Sequence, residues 1–384
     1  MAIKIRNKKN LTPENGSSSW SLPVAIAFIF QVLMNAILQV FDWPESWDGV
    51  LILNLDFFLF YFILILFYLS GNKTSSLWSD ALKRLVRNRL AFVGLVTIFL
   101  IIVAVINGPP LLESLTGYSY DSTPAEIALQ NSFPPSWQHL MGTDDQGRDM
   151  LARVLQGGRI SLMVGIISTL VSLIVGVSYG AIAGFLGGRI DNIMMRIVDV
   201  LYSIPFLLIV IVLLNVFGGP GTPEWIKWLT TNIGGAQNQG LSQIFLLFFA
   251  LGLVSWLTMA RVVRGQVLSL KNQEFVLAAK ATGVSTLGIV FRHLVPNTLG
   301  PVIIYATLTV PSVMLTEAFL SFLGLGVQAP YASWGSLADA GIKNLAIFPW
   351  QLIFPGITMA LTLFSLNFLG DGIRDALDPQ TRKF

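Results

Sequence analysis

Cysteine is absent from all 384 residues, which excludes disulfides, thiolate zinc sites, iron–sulfur clusters and any cysteine-linked lipid anchor. Histidine is nearly absent too. The two histidines, His139 and His293, stand far apart in the chain, which argues against a histidine-built metal site. Charge is equally scarce: Asp, Glu, Lys and Arg make up 12%, where a soluble domain carries about a quarter. That deficit points to lipid as the main solvent. The net charge of +3 is too small to point to nucleic acid. No G-x-x-x-x-G-K followed by Ser or Thr occurs, so the chain has no phosphate-cradling loop of that kind. Nor is any Ser/His/Asp, paired-carboxylate or metal-ligand set spaced to act together. The chain is expected not to be an enzyme and to hold no cofactor, so energy has to come from another polypeptide.

What remains is apolar: hydrophobic residues are 54% and the mean hydropathy is +0.69. At 1.5 Å per residue, about 20 apolar residues cross a hydrocarbon core of about 30 Å. Eight windows qualify: Leu22–Phe41, Val50–Leu69, Leu90–Ile106, Ile160–Phe185, Val200–Phe217, Ile244–Ala260, Leu299–Glu317 and Gln351–Leu369. The sequence thus predicts an all-α integral membrane protein of about eight transmembrane helices. Lys4, Arg6, Lys8 and Lys9 before the first window resemble the start of a signal peptide. The uncharged stretch Leu22–Val40 is too long for that and no A-x-A site follows, so a retained helix is expected. Asp56 weakens the second window without excluding it, because a carboxylate near the interface costs less than one at mid-bilayer.

Lys/Arg asymmetry orients the spans. With both termini cytoplasmic, only Arg148, Arg153, Arg159, Lys227 and Lys343 of the 24 basic residues fall outside. A wrong span count would scramble that separation, so both termini are expected inside.

Three parts follow. Residues 1–76 form an N-terminal extension holding the Leu22–Leu69 hairpin. Residues 77–159 hold a basic stretch, Leu77–Arg89 (LWSDALKRLVRNR), a first further span and a long outer loop, Asn107–Arg159. Residues 160–384 hold the remaining spans and a long inner loop, 261–297. The basic stretch spaces its apolar residues as a helix does and reads as an interfacial helix on membrane lipid; docking of a regulator is the alternative. Ser168, Ser172, Gly176, Gly180, Gly184 and Gly188 recur every four residues and form one groove for close helix packing, within this chain or against a partner. Asp144, Asp145 and Asp149 lack the alternation of a calcium loop. Thr143 and Gln146 have the spacing of a capping box, the reading preferred over a metal site. Glu317, at the end of a span, either lines a path through the membrane or sits in water at the interface.

The inner loop is the most informative segment. Glu274–Gly283 (EFVLAAKATG) and the stretch to Pro296 read as two short helices meeting at Gly283, where a missing Cβ permits a tight turn. Pro296 is expected to open the next span. Such a pair fits a plug for a cytoplasmic partner, the alternative being an ordinary amphipathic loop.

The loop resembles the EAA loop of ABC-importer permease subunits. Ala278, Ala279 and Gly283 match its A-A-x-x-x-G part and Pro296 its closing proline. Leu277 stands where the family usually has an acid, and Glu274 matches an acidic position before it. Gly142–Asp149 (GTDDQGRD) with Ala152–Ser161 (ARVLQGGRIS), Leu315–Pro330 (LTEAFLSFLGLGVQAP) and Asn367–Pro379 (NFLGDGIRDALDP) are similar to signatures of the C-type permease of dipeptide, oligopeptide and nickel importers. The resemblance runs from about Leu77 to Phe384, and the Leu22–Leu69 hairpin is not a usual part of it.

It implies that six of the spans follow the type I ABC-importer permease fold. It implies a multi-pass subunit of a prokaryotic inner membrane, paired with a second homologous permease. Two cytoplasmic ATP-binding subunits and an extracytoplasmic peptide-binding protein complete the expected assembly. Glu274, Ala278, Ala279, Lys280, Thr282, Gly283, Arg292, His293 and Pro296 are the expected ATPase-coupling residues. Di- or oligopeptides are the expected substrates, and the few histidines make nickel less attractive. A secondary transporter acting alone is the rival class, but it usually needs ionisable residues at mid-membrane, which these spans nearly lack.

Overall fold

The computed structural model describes residues 77–121, 132–218, 224 and 239–377, and every named element among them is helical. The Leu22–Leu69 hairpin and the rest of the N-terminal extension lie outside the described residues. We number the helices α1 (Leu77–Arg87), α2 (Arg89–Thr116), α3 (Met150–Leu186), α4 (Gly188–Ser203), α5 (Phe206–Gly218) and α6 (Gln239–Leu270), followed by α7 (Glu274–Ala281), α8 (Thr286–Phe322), α9 (Trp334–Lys343) and α10 (Trp350–Leu377). By length and composition α2, α3, α6, α8 and α10 can each cross a membrane. The bent pair α4–α5 passes the same test only when its two helices are taken together, as a broken span or a re-entrant loop.

That break corrects the expected continuous span Val200–Phe217. The two helices meet at 88°, and the cause is local. Pro205 disfavours the α region for the residue before it, and Ile204 is extended at φ −81°, ψ 131°. A hydropathy window averages across such a point because isoleucine and proline cost it nothing.

The centre of the bundle is the parallel pair α3 and α6. Ser168 Oγ donates to Phe248 O at 3.0 Å. Farther along, a Cβ on Gly176 would lie 2.7 Å from Met259 Cβ, one on Gly180 would collide with the Ala260 carbonyl, and one on Gly184 would sit 3.0 Å from Arg264 O. The four-residue stripe therefore packs within the chain, backbone against backbone. Gly188 does not join it. Gly187 and Gly188 have φ of 65° and 58° and turn the chain from α3 into α4, a conformation open mainly to glycine.

α2 packs across α3 and carries two adjacent prolines, Pro109 and Pro110. Proline has no N–H, so each frees the carbonyl four residues earlier, here Val105 O and Ile106 O. Arg159 of α3 supplies what is missing: Nε reaches Val105 O at 2.9 Å and an Nη reaches Ile106 O at 2.6 Å. Arg159 was expected in the outer loop. It is instead a buried side chain inside α3, which starts at Met150, ten residues before the apolar window, and α9 covers these added turns. Trp334 of α9 is fully buried there, with its indole N–H on Val154 O at 2.8 Å.

The loop before α3 corrects a second expectation. Thr143 does not form a capping box with Gln146: its Oγ1 accepts from Phe133 N at 2.7 Å. Asp144 takes the Gln146 and Arg148 amides, both at 2.9 Å, and pairs with Arg148 and Arg153. Asp149 caps α3 through Ala152 N at 2.8 Å and holds His139 Nδ1 at 2.9 Å. Carboxylates accept amide hydrogens more strongly than a threonine hydroxyl does, which is why Asp144 and not Thr143 organises the turn. Asp145 is exposed.

Candidate functional site

Two features stand out: the α7 segment at one end of the bundle, and a cavity beside it between the α4–α5 bend, α6 and α8.

The α7 segment is one helix and a turn whose ends are specified locally. Gly283 sits at φ 79°. Its N–H bonds to Lys280 O and that of Val284 to Ala279 O, each at 3.1 Å, the paired bonds of a Schellman motif. Nothing lies within 4 Å of a Cβ built on Gly283, so the glycine answers a backbone requirement and not a steric one. Ser285 then caps the start of α8 by accepting from Gly288 N at 3.3 Å. The second expected short helix runs on into the span as the first turns of α8, and Pro296 stands, as expected, in the first turn of that span's regular α-helix, Val295–Phe322. Residues Ile289–Leu294 take a π-helical form just before it, which fits a proline that cannot donate to, and pushes against, the carbonyl four residues back.

The segment has two faces. Val276 and Ala279 are buried with Ile289, Val290 and Leu294 against Val263 and Val267 of α6 and Ala181 of α3. Those contacts seat α7 on the first turns of α8 and, through them, on the central pair. Glu274, Ala278, Lys280, Thr282, Gly283, Arg292 and Pro296 are exposed, and His293 is half-buried. The Lys280 ammonium lies 5.1 Å from the Phe185 ring centroid. Phe275, Leu277, Leu287 and Phe291 are also exposed. Eight of the nine expected coupling residues thus reach the surface wholly or in part, and Ala279 anchors the helix from beneath.

The cavity encloses about 700 Å³. Leu201–Phe206 form the wall at the bend, with Leu251, Val254, Ser255 and Thr258 of α6 and Tyr305, Thr309, Ser312 and Thr316 of α8 facing it. At its α7 end Tyr202 is covered by the Arg261 guanidinium, 4.4 Å from the ring centroid, and Arg261 pairs with Asp199 at 2.9 Å. A second pair, Arg264 with buried Asp191 at 2.6 and 2.7 Å, ties α4 to α6. None of Tyr202, Asp191 or Arg264 was singled out from sequence. Their partners lie 56 to 73 residues away, beyond the reach of any local pattern.

Glu317 does not line this cavity. It is buried, and its carboxylate accepts from Ser321 Oγ at 2.7 Å and Ser333 Oγ at 2.6 Å. Ser333 is the N-cap of α9, so Glu317 joins the end of α8 to the start of α9. That burial excludes interfacial water as its setting.

Residues 176–383 match the family of binding-protein-dependent transport system inner membrane components. The chain belongs to that family. Residues 76–135 also match the N-terminal TM domain of oligopeptide transport permease C. Among relatives, the oligopeptide transport system permease protein OppC of Escherichia coli is 48% identical over 308 residues, covering 80% of this chain and 92% of the relative. OppC of Bacillus subtilis is 45% identical over 313 residues, 82% of this chain and 93% of its own. The dipeptide transport system permease protein DppC of Bacillus subtilis is 45% identical over 306 residues, 79% and 86% respectively. The chain is therefore a multi-pass, membrane-embedded permease component of a transport system.

Proposed function

We propose that the chain is a permease subunit of an ATP-driven importer for di- or oligopeptides. The observation that carries this reading is the 48% identity to an oligopeptide permease across nearly that relative's whole length. In the proposed assembly it forms the translocation path with a second homologous permease. Two cytoplasmic ATP-binding subunits drive it and an extracytoplasmic binding protein delivers the peptide. Both termini lie in the cytoplasm of a prokaryotic cell, so α7 faces inward and α9 outward. Residues 1–76 add two further spans, 77–159 bring the interfacial helix with the first family-like span and outer loop, and 160–384 form the permease core.

The two-faced α7 segment supports a lever. Its buried face is continuous with the core of α3, α6 and α8, so a displacement imposed on the exposed face passes to the helices around the cavity without bending α7. Closure of the ATPases biases an outward-open against an inward-open state, a two-state element shifted by a remote ligand. The chain meets ATP only through that contact.

The test is co-purification followed by reconstituted uptake. A second multi-span permease and Walker-type ATPases should accompany the chain, and peptide uptake should require ATP. Gly283→Val should abolish uptake while leaving membrane insertion intact, because a β-branched residue at positive φ breaks the turn that sets α7. Normal uptake by that variant defeats the lever. Uptake by the chain alone in liposomes would replace the whole reading with a secondary transporter.

A further inference from the structure

The spans are unevenly covered. The apolar window of α10 is 17% buried, against 28% for α2 and 61% for α6. On its exposed side Ile353, Ile357, Ala360, Phe364 and Asn367 follow one another at alternating steps of four and three residues, so they form one stripe along the helix. Apolar bulk alone does not separate such a stripe from contact with lipid tails, which are as apolar as leucine. Two details do. Gly356 and Ala360 stand one turn apart, and nothing lies within 4 Å of a Cβ built on Gly356. Small residues at that spacing let a second helix come close, an arrangement lipid tails do not need. Toward the inner end, the exposed Asn367 side chain has no hydrogen-bond partner among the described residues, and asparagine joins helices in lipid. The neighbouring α2 offers no such place. Its outward residues include Leu90, Val93 and Leu100, and its glycines are already met, Gly94 by Ser365 O and Gly108 by Leu155.

The course of the chain says what can cover the stripe. α1 is seated on the inner end of α10: Ala81 and Leu85 pack with Ala91 of α2 and Ala376 of α10, and a Cβ on Gly372 would lie 2.9 Å from Leu85 Cδ1. Ala81 is only one turn into α1. Upstream of Leu77, residues 70–76 are all that separates α1 from the apolar window Val50–Leu69. Fully extended they reach about 25 Å, and packed helices stand about 8–10 Å apart. The window is therefore tethered within about two helices of the start of α1.

We propose that the α10 stripe is the docking surface for the chain's own Leu22–Leu69 hairpin, with the Val50–Leu69 window seated on Gly356 and Ala360. The inference rests on the reading of residues 1–76 as two added spans. It gives them a place, as a brace on the lipid-facing side of the permease core.

The test exploits the absence of cysteine from the chain and is run on the complete transporter in its native membrane. Ala360→Cys is combined in turn with Leu59→Cys, Phe60→Cys, Tyr61→Cys and Phe62→Cys, which cover one helical turn at matching depth. A protease site placed within residues 70–76 lets the two fragments separate unless a disulfide holds them. At least one pair should stay joined on oxidation, about fivefold more than the same partner with Leu100→Cys on α2, because a disulfide needs Cα atoms within about 7 Å. Adding Gly356→Leu should lower that yield about fivefold by closing the groove, while the chain still inserts. No joined product with Ala360→Cys, a preference for Leu100→Cys, a disulfide from Ala360→Cys to the second permease in place of the hairpin, or a yield indifferent to Gly356→Leu each overturns the inference. Ser46→Cys, labelled from outside by a membrane-impermeant maleimide, checks the underlying reading separately. Labelling without the Ala360 disulfide defeats the docking alone; no labelling in intact cells defeats the two added spans, and the docking with them.

Discussion

α6 presents two different surfaces to its neighbours. Toward α3 it is closed: Met259, Ala260 and Arg264 meet glycines so closely that no Cβ fits at Gly180. Toward α8 and the α4–α5 bend it is open, with Ser255 and Thr258 facing a cavity of about 700 Å³. The burial of the spans follows the same division. The apolar windows of α3 and α6 are 56% and 61% buried, against 28% for α8 and 17% for α10. One side of α6 is therefore a close-packed seam and the other borders an open cavity. In lipid, helices gain little from hiding apolar surface and associate by close packing and hydrogen bonds. Stability thus concentrates at the glycine seam, and the cavity wall is left free to serve function.

The sharpest way to break that division is to put a side chain into the seam. Gly180→Leu should be the most damaging change, because the obstacle is a carbonyl of another helix and not a flexible side chain. Overpacking against backbone costs about 3 kcal/mol or more, so the purified protein should lose its cooperative melt or fail to accumulate in the membrane. A substitution of equal size on the cavity wall, such as Thr309→Leu, should leave the melting temperature nearly unchanged. If both variants melt alike, the seam is not where stability lies.

Arg159→Leu should come next. It leaves Val105 O and Ile106 O without their donors and opens the contact of α2 with α3. Each buried, unsatisfied carbonyl costs about 1–3 kcal/mol. Removing a buried cation offsets part of that, so a net loss of about 2 kcal/mol is expected, read as a lowered melting temperature. Replacing Pro109 and Pro110 by Ala in the same background should recover most of it, since the new amides can bond those carbonyls. Absence of rescue would show that Arg159 acts through something other than the freed carbonyls.

The sequence made some of these features legible and concealed others for definite reasons. The family-like spans were readable because lipid demands long apolar runs, and the Gly176–Gly184 stripe because four-residue spacing keeps one face of a helix. The turn at Gly283 was readable from glycine following a helical stretch. The break at Pro205 was printed in the sequence yet missed, since hydropathy scores composition and ignores dihedral preference. Asp144 displaced Thr143 at the turn through stronger acceptors that happened to be adjacent. Arg159, Glu317 and the Asp191–Arg264 pair were hidden because the partners that give them meaning arrive from other helices. For the exposed half of the α7 segment, the residues alone left two readings, a plug for a cytoplasmic partner and an ordinary amphipathic loop, and the resemblance to permease coupling loops favoured the first.

Adjacent residues in α7 sharpen the comparison on the smallest scale. Val276 is fully buried on the α6 side, and Leu277 is 52% exposed. Val276→Ala removes two buried methyl groups and should cost about 1–2 kcal/mol, a measurable fall in melting temperature of the isolated subunit. Leu277→Ala should change that temperature hardly at all, since exposed substitutions stay within about 0.5 kcal/mol. If an ATPase subunit covers Leu277, the same change should weaken its retention by about three- to tenfold, the loss expected from exposing one partly buried side chain. Titrating labelled ATPase subunit against both variants reads the two effects separately. Stability lost at Val276 with docking kept, and the reverse at Leu277, would assign the two faces of α7 to the bundle and to the partner. Docking unaffected by Leu277→Ala would leave the coupling surface to the charged and glycine positions, Glu274, Lys280 and Gly283, where the usual acid is missing and its neighbours have to serve.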